Sequence, residues 1–255
     1  LQKIAGISIS ANFLTIVEEK DVAAFHAHLQ TLSGTKVKQS CNPVCSTAGL
    51  SSLCALWISL VSRGGADIIM CSTAYGGSNQ LVDVLCSTTP SLHKHTFDIQ
   101  GMLSMEISID SVLEGLSKKV KSFSPTTVLF VEIPTNPDMK VPQLTIIAEM
   151  LLLYKLKTAK DVVLLIDTTF APNSQVMLKL KKVAPDLTVL VFMSMSKSIS
   201  RGLTTAGAIV GNHTQLARTL LDELRSTVAW MDTGLKHDQM RFLCDTHVGV
   251  EERCH

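Results

Sequence analysis

The sequence has no block of like charge: lysine and arginine number 23, aspartate and glutamate 22, and the formal net charge is +1. Without a basic patch, nucleic acid is not the expected partner. Also missing is an apolar run of membrane-spanning length, and the first residues lack the charged-then-apolar pattern of a signal peptide. No membrane association is expected, although a chain that opens on Leu1 rather than Met leaves a removed leader open. The seven cysteines are odd in number, contain no CxxC pair and lie in several cases inside apolar segments, as reduced core thiols do. The expected compartment is therefore reducing and cytoplasmic. Neither a P-loop nor a GxGxxG is present, which removes the usual support for a nucleotide-binding α/β protein. No internal repeat and no low-complexity tract interrupts the chain.

What remains is 255 residues that are 46% hydrophobic, enough for one large domain with a sizeable core. Apolar bursts of strand length stand at Ala66 to Cys71, Thr126 to Ile133, Val162 to Asp167, Leu187 to Met193 and Ala206 to Val210. Helical spacing lies between them: Leu50 to Ser62, a stretch from Gly77 to Cys86, one capped near Asp110, and one opened by Pro142. A further helix over Val22 to Leu32 stops at Gly34, and two more follow, from Leu216 and from about Asp238 to the end. Continuous apolar strands separated by helices predict an α/β fold with a mostly parallel sheet covered on both faces. Ligands of such sheets bind beyond the carboxyl ends of the strands. Residues 1–40 read as an N-terminal segment, 41–235 as the main domain, and 236–255 as the start of a helix leading onward.

Several unusual groups stand at those strand ends. Lys197 sits in the run Ser194-Met195-Ser196-Lys197-Ser198, just past a buried strand. A surface lysine is the simple reading; an amine held for imine chemistry is the sharper one. Asp167 closes VVLLID, where a carboxylate is costly unless a cation faces it; alone, a turn aspartate would be the simpler reading. Glu132-Ile133-Pro134-Thr135-Asn136-Pro137 makes a stiff loop that suits an aimed amide. Tyr75-Gly76-Gly77 offers a flat ring beside open backbone. Thr47-Ala48-Gly49-Leu50-Ser51 opens a helix whose N–H groups can hold a phosphate, with Ser194 and Ser196 as added donors. Singly these are ordinary loops. Together they supply a phosphate cradle, a stacking ring, an aimed amide, a buried acid and an amine, which are the parts that hold pyridoxal 5′-phosphate (PLP).

The ordered motifs GL, YGG, ExPTNP, DxTF, SxSK and GAIV, spread over about Leu29 to Asn212, resemble the Cys/Met-metabolism family of PLP enzymes, the cystathionine γ-synthase and cystathionine γ- or β-lyase relatives of fold type I. The resemblance implies that Lys197 is the Schiff-base lysine, Asp167 the partner of the pyridinium nitrogen and Tyr75 the stacking ring. It assigns the phosphate to Gly49, Leu50, Ser194 and Ser196, and places Glu132, Asn136 and Thr169 around the ring. It implies β- or γ-elimination or γ-replacement on a small amino-acid substrate, without a metal, in a homo-oligomer (dimer or tetramer). Departures stand beside it. Ala48-Gly49-Leu50 replaces the usual Ser-Gly-Met, Thr168 replaces an asparagine, and Ser198 to Gly202 lacks the usual tyrosine. No N-terminal Tyr-x-Arg arm is found, nor a C-terminal small domain with a carboxylate-binding arginine. The second expectation, from those two losses, is a catalytically incomplete paralogue acting as a non-enzymatic subunit.

Overall fold

The computed structural model describes residues 17–38, 41–99, 104–118 and 124–253. Residues 1–16 of the N-terminal segment lie outside the described residues. The chain runs α1 (Glu19–Ser33), β1 (Val44–Ser46), α2 (Gly49–Ser62), β2 (Ala66–Cys71), α3 (Gly76–Thr88), β3 (Leu92–Phe97), α4 (Met105–Lys118) and β4 (Thr126–Glu132). It continues α5 (Leu144–Thr158), β5 (Asp161–Asp167), α6 (Val176–Val183), β6 (Thr188–Ser194), β7 (Gly207–Gly211), α7 (Gln215–Trp230), α8 (His237–Thr246) and α9 (Val250–Arg253).

The strands form one seven-stranded sheet in the order β1-β7-β6-β5-β4-β2-β3. Strands β2 to β6 pair in parallel, while β7 runs antiparallel to β6 and to β1. This is the mostly parallel α/β sheet the sequence predicts. Every residue of β2 and β4 is buried, so both faces of the sheet are covered by helices. The core runs through these strands and the inner faces of the helices. α2 sets Leu53, Leu56, Trp57 and Leu60 into it, and α7 packs beside α2 with Leu220, Leu221, Leu224 and Val228. Each such aliphatic side chain is worth about 1.5–3 kcal/mol when fully buried. Among the described residues no helix is long and apolar enough to cross a membrane.

Some expectations are corrected. Asp110 lies inside α4, whose amphipathic face already begins at Met105 and carries Ile109, Leu113 and Leu116, so it caps nothing. Pro142 precedes α5 rather than opening its first turn, because Gln143 has non-helical backbone angles (φ −79°, ψ 79°) and stands as the N-cap. The helix from Asp238 breaks: α8 ends at Thr246, and Gly249 takes φ 74° before α9. Gly34, by contrast, closes α1 at φ 80° as expected. β1, β3 and α6 have no counterpart in the sequence reading.

Candidate active site

Parallel pairing brings the carboxyl ends of β4, β5 and β6 to one edge of the sheet, where Glu132 lies in register with Asp167 and Asp167 with Phe192. Because β7 runs the other way, its first residue, Gly207, reaches the same edge opposite Ser194. A Cβ on Gly207 would stand 2.6 Å from Gly49 Cα and 2.7 Å from the Ala48 carbonyl oxygen. Only glycine there lets the start of α2 lie down on β7. Gly49 is close-packed in turn: a Cβ would be 3.1 Å from Ser194 Cβ and 3.2 Å from the Phe192 ring.

These elements enclose a cavity of about 170 Å3. Gly49, Leu50, Tyr75, Glu132, Asn136, Asp167, Thr169, Ser194 and Lys197 all line it. Ser196 does not. Its hydroxyl accepts the Ala206 N–H at 3.1 Å and so fastens the β6–β7 connection. Ser78, Phe170 and Phe192 line the cavity without having been picked out as site residues. Ser78 was legible by counting: it follows Tyr75-Gly76-Gly77 in the first turn of α3 and is almost wholly buried. Phe170 and Phe192 carry only apolar signals that any core residue shares.

Asp167 forms part of the cavity wall, 9% exposed. The Thr169 N–H donates to its Oδ1 at 2.8 Å, and no lysine or arginine among the described residues makes a salt bridge with it. Burial pushes its pKa up to about 6; the bonds from Thr169 and the charge of Lys197 pull against that, and the charge of Glu132 adds to it. Such a carboxyl has no cation in contact with it among the described residues. Glu132 is also raised by burial, but both its oxygens are engaged: Oε1 accepts the Tyr75 N–H at 2.7 Å and Oε2 the Asn136 N–H at 3.1 Å. Its carboxylate therefore pins two loops to the end of β4. Thr169 plays a similar part, its hydroxyl accepting the Ser194 N–H at 2.9 Å.

Lys197 projects from the turn after β6 between two fully buried anchors, Met195 and Ile199. Its Nζ lies 4.4 Å from the centre of the Phe170 ring and 5.6 Å from that of Tyr75. Both rings are about half exposed, so the amine stands at the mouth of the cavity under an aromatic rim. Tyr75 owes its position to Gly77, where a Cβ would come within 2.7 Å of the tyrosine ring.

The starts of two helices complete the wall. In α2 the first backbone bond runs from the Ser52 N–H to the Ala48 oxygen, and in α3 from the Asn79 N–H to the Tyr75 oxygen. Neither N-cap side chain, Ala48 or Tyr75, caps its helix. Three N–H groups at each start thus have no partner within the helix, and the positive ends of both helices meet at the cavity. The residues present fit PLP. The uncompensated carboxyl of Asp167 matches a pyridinium nitrogen, the two helix starts match a phosphate, and Lys197 supplies the amine.

Comparison with known proteins places these observations. The pattern of the family described as "Cys/Met metabolism PLP-dependent enzyme" matches residues 22–229. A search of curated proteins gives no match. Among solved structures, the chain is similar to a cystathionine γ-lyase (CalE6) from Micromonospora echinospora, with TM-score 0.66 and 18% identity over 92% of this chain and 53% of that one. It is similar also to a cystathionine γ-synthase from Xanthomonas oryzae pv. oryzae, solved with cystathionine, with TM-score 0.67 and 18% identity over 92% and 52% of the two chains. The chain spans about half the length of these structures, and at that identity they speak for the fold.

Proposed function

The chain belongs to the Cys/Met-metabolism family of PLP-dependent enzymes, and from that premise we propose that it acts in transsulfuration, by β- or γ-elimination or γ-replacement on cystathionine or O-acyl-homoserine-type substrates. The observation that carries the reading is the pairing of an uncompensated buried carboxyl, Asp167, with the amine of Lys197 in one cavity. PLP supplies an aldehyde that condenses with amines and a ring that withdraws negative charge from an amino acid's Cα.

Each residue then has a task. Asp167 presents its carboxylate to the ring nitrogen and favours its protonated, charged form. Tyr75 stacks on the ring, and the Glu132 bracket fixes where it stands. Gly49 and Leu50 give backbone N–H groups, and Ser194 its hydroxyl, to the phosphate. Asn136 and Thr169 flank the ring. Lys197 would hold the cofactor through its amine, and that amine, when free, stands where it would move a proton at the Cα of a bound amino acid. Phe170 and Tyr75 shelter that amine from water. A homo-oligomer is the proposed assembly. The alternative of a non-enzymatic subunit is weakened by a complete cofactor wall, since nothing preserves Asp167, Tyr75 and Lys197 together in a scaffold.

The test is to supply the purified protein with PLP and follow absorbance at the violet edge of the visible spectrum, then to assay a panel of cystathionine, cysteine, methionine and O-acyl-homoserines. Expected are a bound-cofactor band and turnover of a member of the panel, both lost in Lys197→Ala. A protein without the band, or a Lys197→Ala variant that keeps it, would overturn the assignment.

A further inference from the structure

A second, larger cavity of about 450 Å3 opens at the opposite edge of the sheet, between the end of α1, α6 and the outer ends of β6 and β7. Val189 lines it and Ser194 lines the first cavity, five residues further along β6. That separates the two by roughly 17 Å along the strand. Lys36, Lys38 and Lys181 stand on its rim, with Asp186 the one acid among the lining residues. None of the three lysines makes a salt bridge among the described residues. Thr214, the N-cap of the sixteen-residue α7, faces the same space. The floor is apolar, built of Met177, Leu180 and Val189. We propose that this cavity binds a small polyphosphate carried on a flat or apolar body, a nucleoside di- or triphosphate by class, at a site separate from the PLP cavity.

The two halves of the lining ask for two halves of a ligand. Three unpaired ammonium groups around one opening repel one another, and a polyanion relieves that repulsion while each lysine gains a charge-assisted hydrogen bond. An apolar floor gives no anion a reason to bind, but it does favour a base or other flat group attached to one. The turn that shapes the site is fixed from within. The Asn212 side-chain amide donates to the Leu187 oxygen at 2.7 Å, and its Oδ1 accepts the Thr214 hydroxyl at 2.9 Å. His213 hydrogen-bonds the Lys36 oxygen at 3.1 Å and packs at the same opening. Burial lowers its pKa, and the charges of Lys38, Lys181 and Arg218 lower it further. A bound polyanion, outweighing these cations, would raise it.

The test is calorimetric titration of the PLP-loaded protein, whose first anion cradle is then filled, with ATP, pyrophosphate and adenosine. ATP and pyrophosphate should bind and adenosine should not, and the His213 ring protons should report a raised pKa by NMR. Lys38→Ala with Lys181→Ala should weaken ATP by about 100-fold, near tenfold for each lost charge-assisted bond. Lys94→Ala, which removes a lysine paired with Asp83 on another face, should leave it unchanged. ATP bound more tightly than pyrophosphate supports the nucleotide; equal affinities overturn the nucleotide and leave free polyphosphate as the ligand. No binding of either at about 1 mM, or a double lysine variant that binds as the parent does, would overturn the site. The PLP band reads the first cavity independently, so failure here leaves the proposed function standing.

Discussion

Replacing Asp167 by asparagine should stabilise the cofactor-free protein while disabling it. The carboxyl has a pKa of about 6 in the fold against 3.8 as its ordinary value. Between those two values the folded state holds more protons than the unfolded one, so stability falls as pH rises from about 4 to about 6, and the loss is complete above that. The difference of roughly two units corresponds to about 3 kcal/mol at neutral pH. In Asp167→Asn the side-chain amide would keep an oxygen to accept the Thr169 N–H, the bond now at 2.8 Å, and would carry no charge to bury. Urea unfolding of both cofactor-free proteins from pH 4 to pH 8 measures the effect, and groups common to the two cancel. The variant should equal the parent near pH 4 and gain on it through pH 6, up to about 3 kcal/mol. PLP should reverse the order, because the parent gains a cation beside the carboxylate and the variant does not. A variant no more stable than the parent at pH 7, or a difference that does not grow with pH, would refute the claim that Asp167 is held there at a cost.

The paired glycines of α3 should behave oppositely. Gly77→Ala puts a Cβ 2.7 Å from the Tyr75 ring, whereas at Gly76 nothing lies within 4 Å. Gly76→Ala should be neutral or gain up to about 1 kcal/mol. Gly77→Ala should turn the ring away and weaken PLP by up to about tenfold, the worth of one stacking contact, with melting little changed. Gly207→Ala meets backbone at 2.6 Å rather than a movable side chain; it should destabilise the protein by about 2 kcal/mol or more and weaken PLP as well, read by thermal melting and cofactor titration. Glu132→Gln leaves one acceptor oxygen for two backbone donors. It should cost about 1–3 kcal/mol in urea unfolding at pH 7, and the Glu132 charge lost beside Asp167 should move that carboxyl down in the same pH scan.

The inner strands were legible because burial on both faces writes their middles as unbroken apolar runs, Val128 to Val131 in β4 and Val189 to Met193 in β6. β3 was not, because an edge strand carrying His93, Lys94 and His95 has one polar side and no strong alternation. The three residues of β1 are too few to show a period, and α6 is two turns long. Asp167, Lys197 and Tyr75, which line one cavity, stood out in the sequence because each breaks a local rule: a charge at a strand end, an amine among hydroxyls, a ring before two glycines. Roles set by hydrogen bonding were not readable. Ser196 stands two residues from Ser194, yet one hydroxyl faces inward to Ala206 while the other borders the cavity. The turn that reverses the chain into β7 decides between them, and spacing does not report its direction.

That reversal also explains why the site depends on a glycine, Gly207, that does not itself line the cavity. A parallel β7 would have brought its far end, Gly211, to the edge where the cofactor wall stands. Run antiparallel, it delivers Gly207 there instead, beneath the first residues of α2. A side chain on Gly207 would meet the backbone of Gly49 and Ala48 and lift the start of α2 from the sheet, whereas one on Gly49 would crowd only the Ser194 and Phe192 side chains. The start of α2 is thus placed by the missing side chain of Gly207 and one strand direction, while Lys197 and Asp167 are placed by β6 and β5. These two sets of constraints meet at the end of β6, where Ser194 faces Gly207 and packs against Gly49, and where Phe192, in register with Asp167, packs against Gly49 as well. A change at either residue that moves the end of β6 should therefore disturb the start of α2 and the Lys197 turn together.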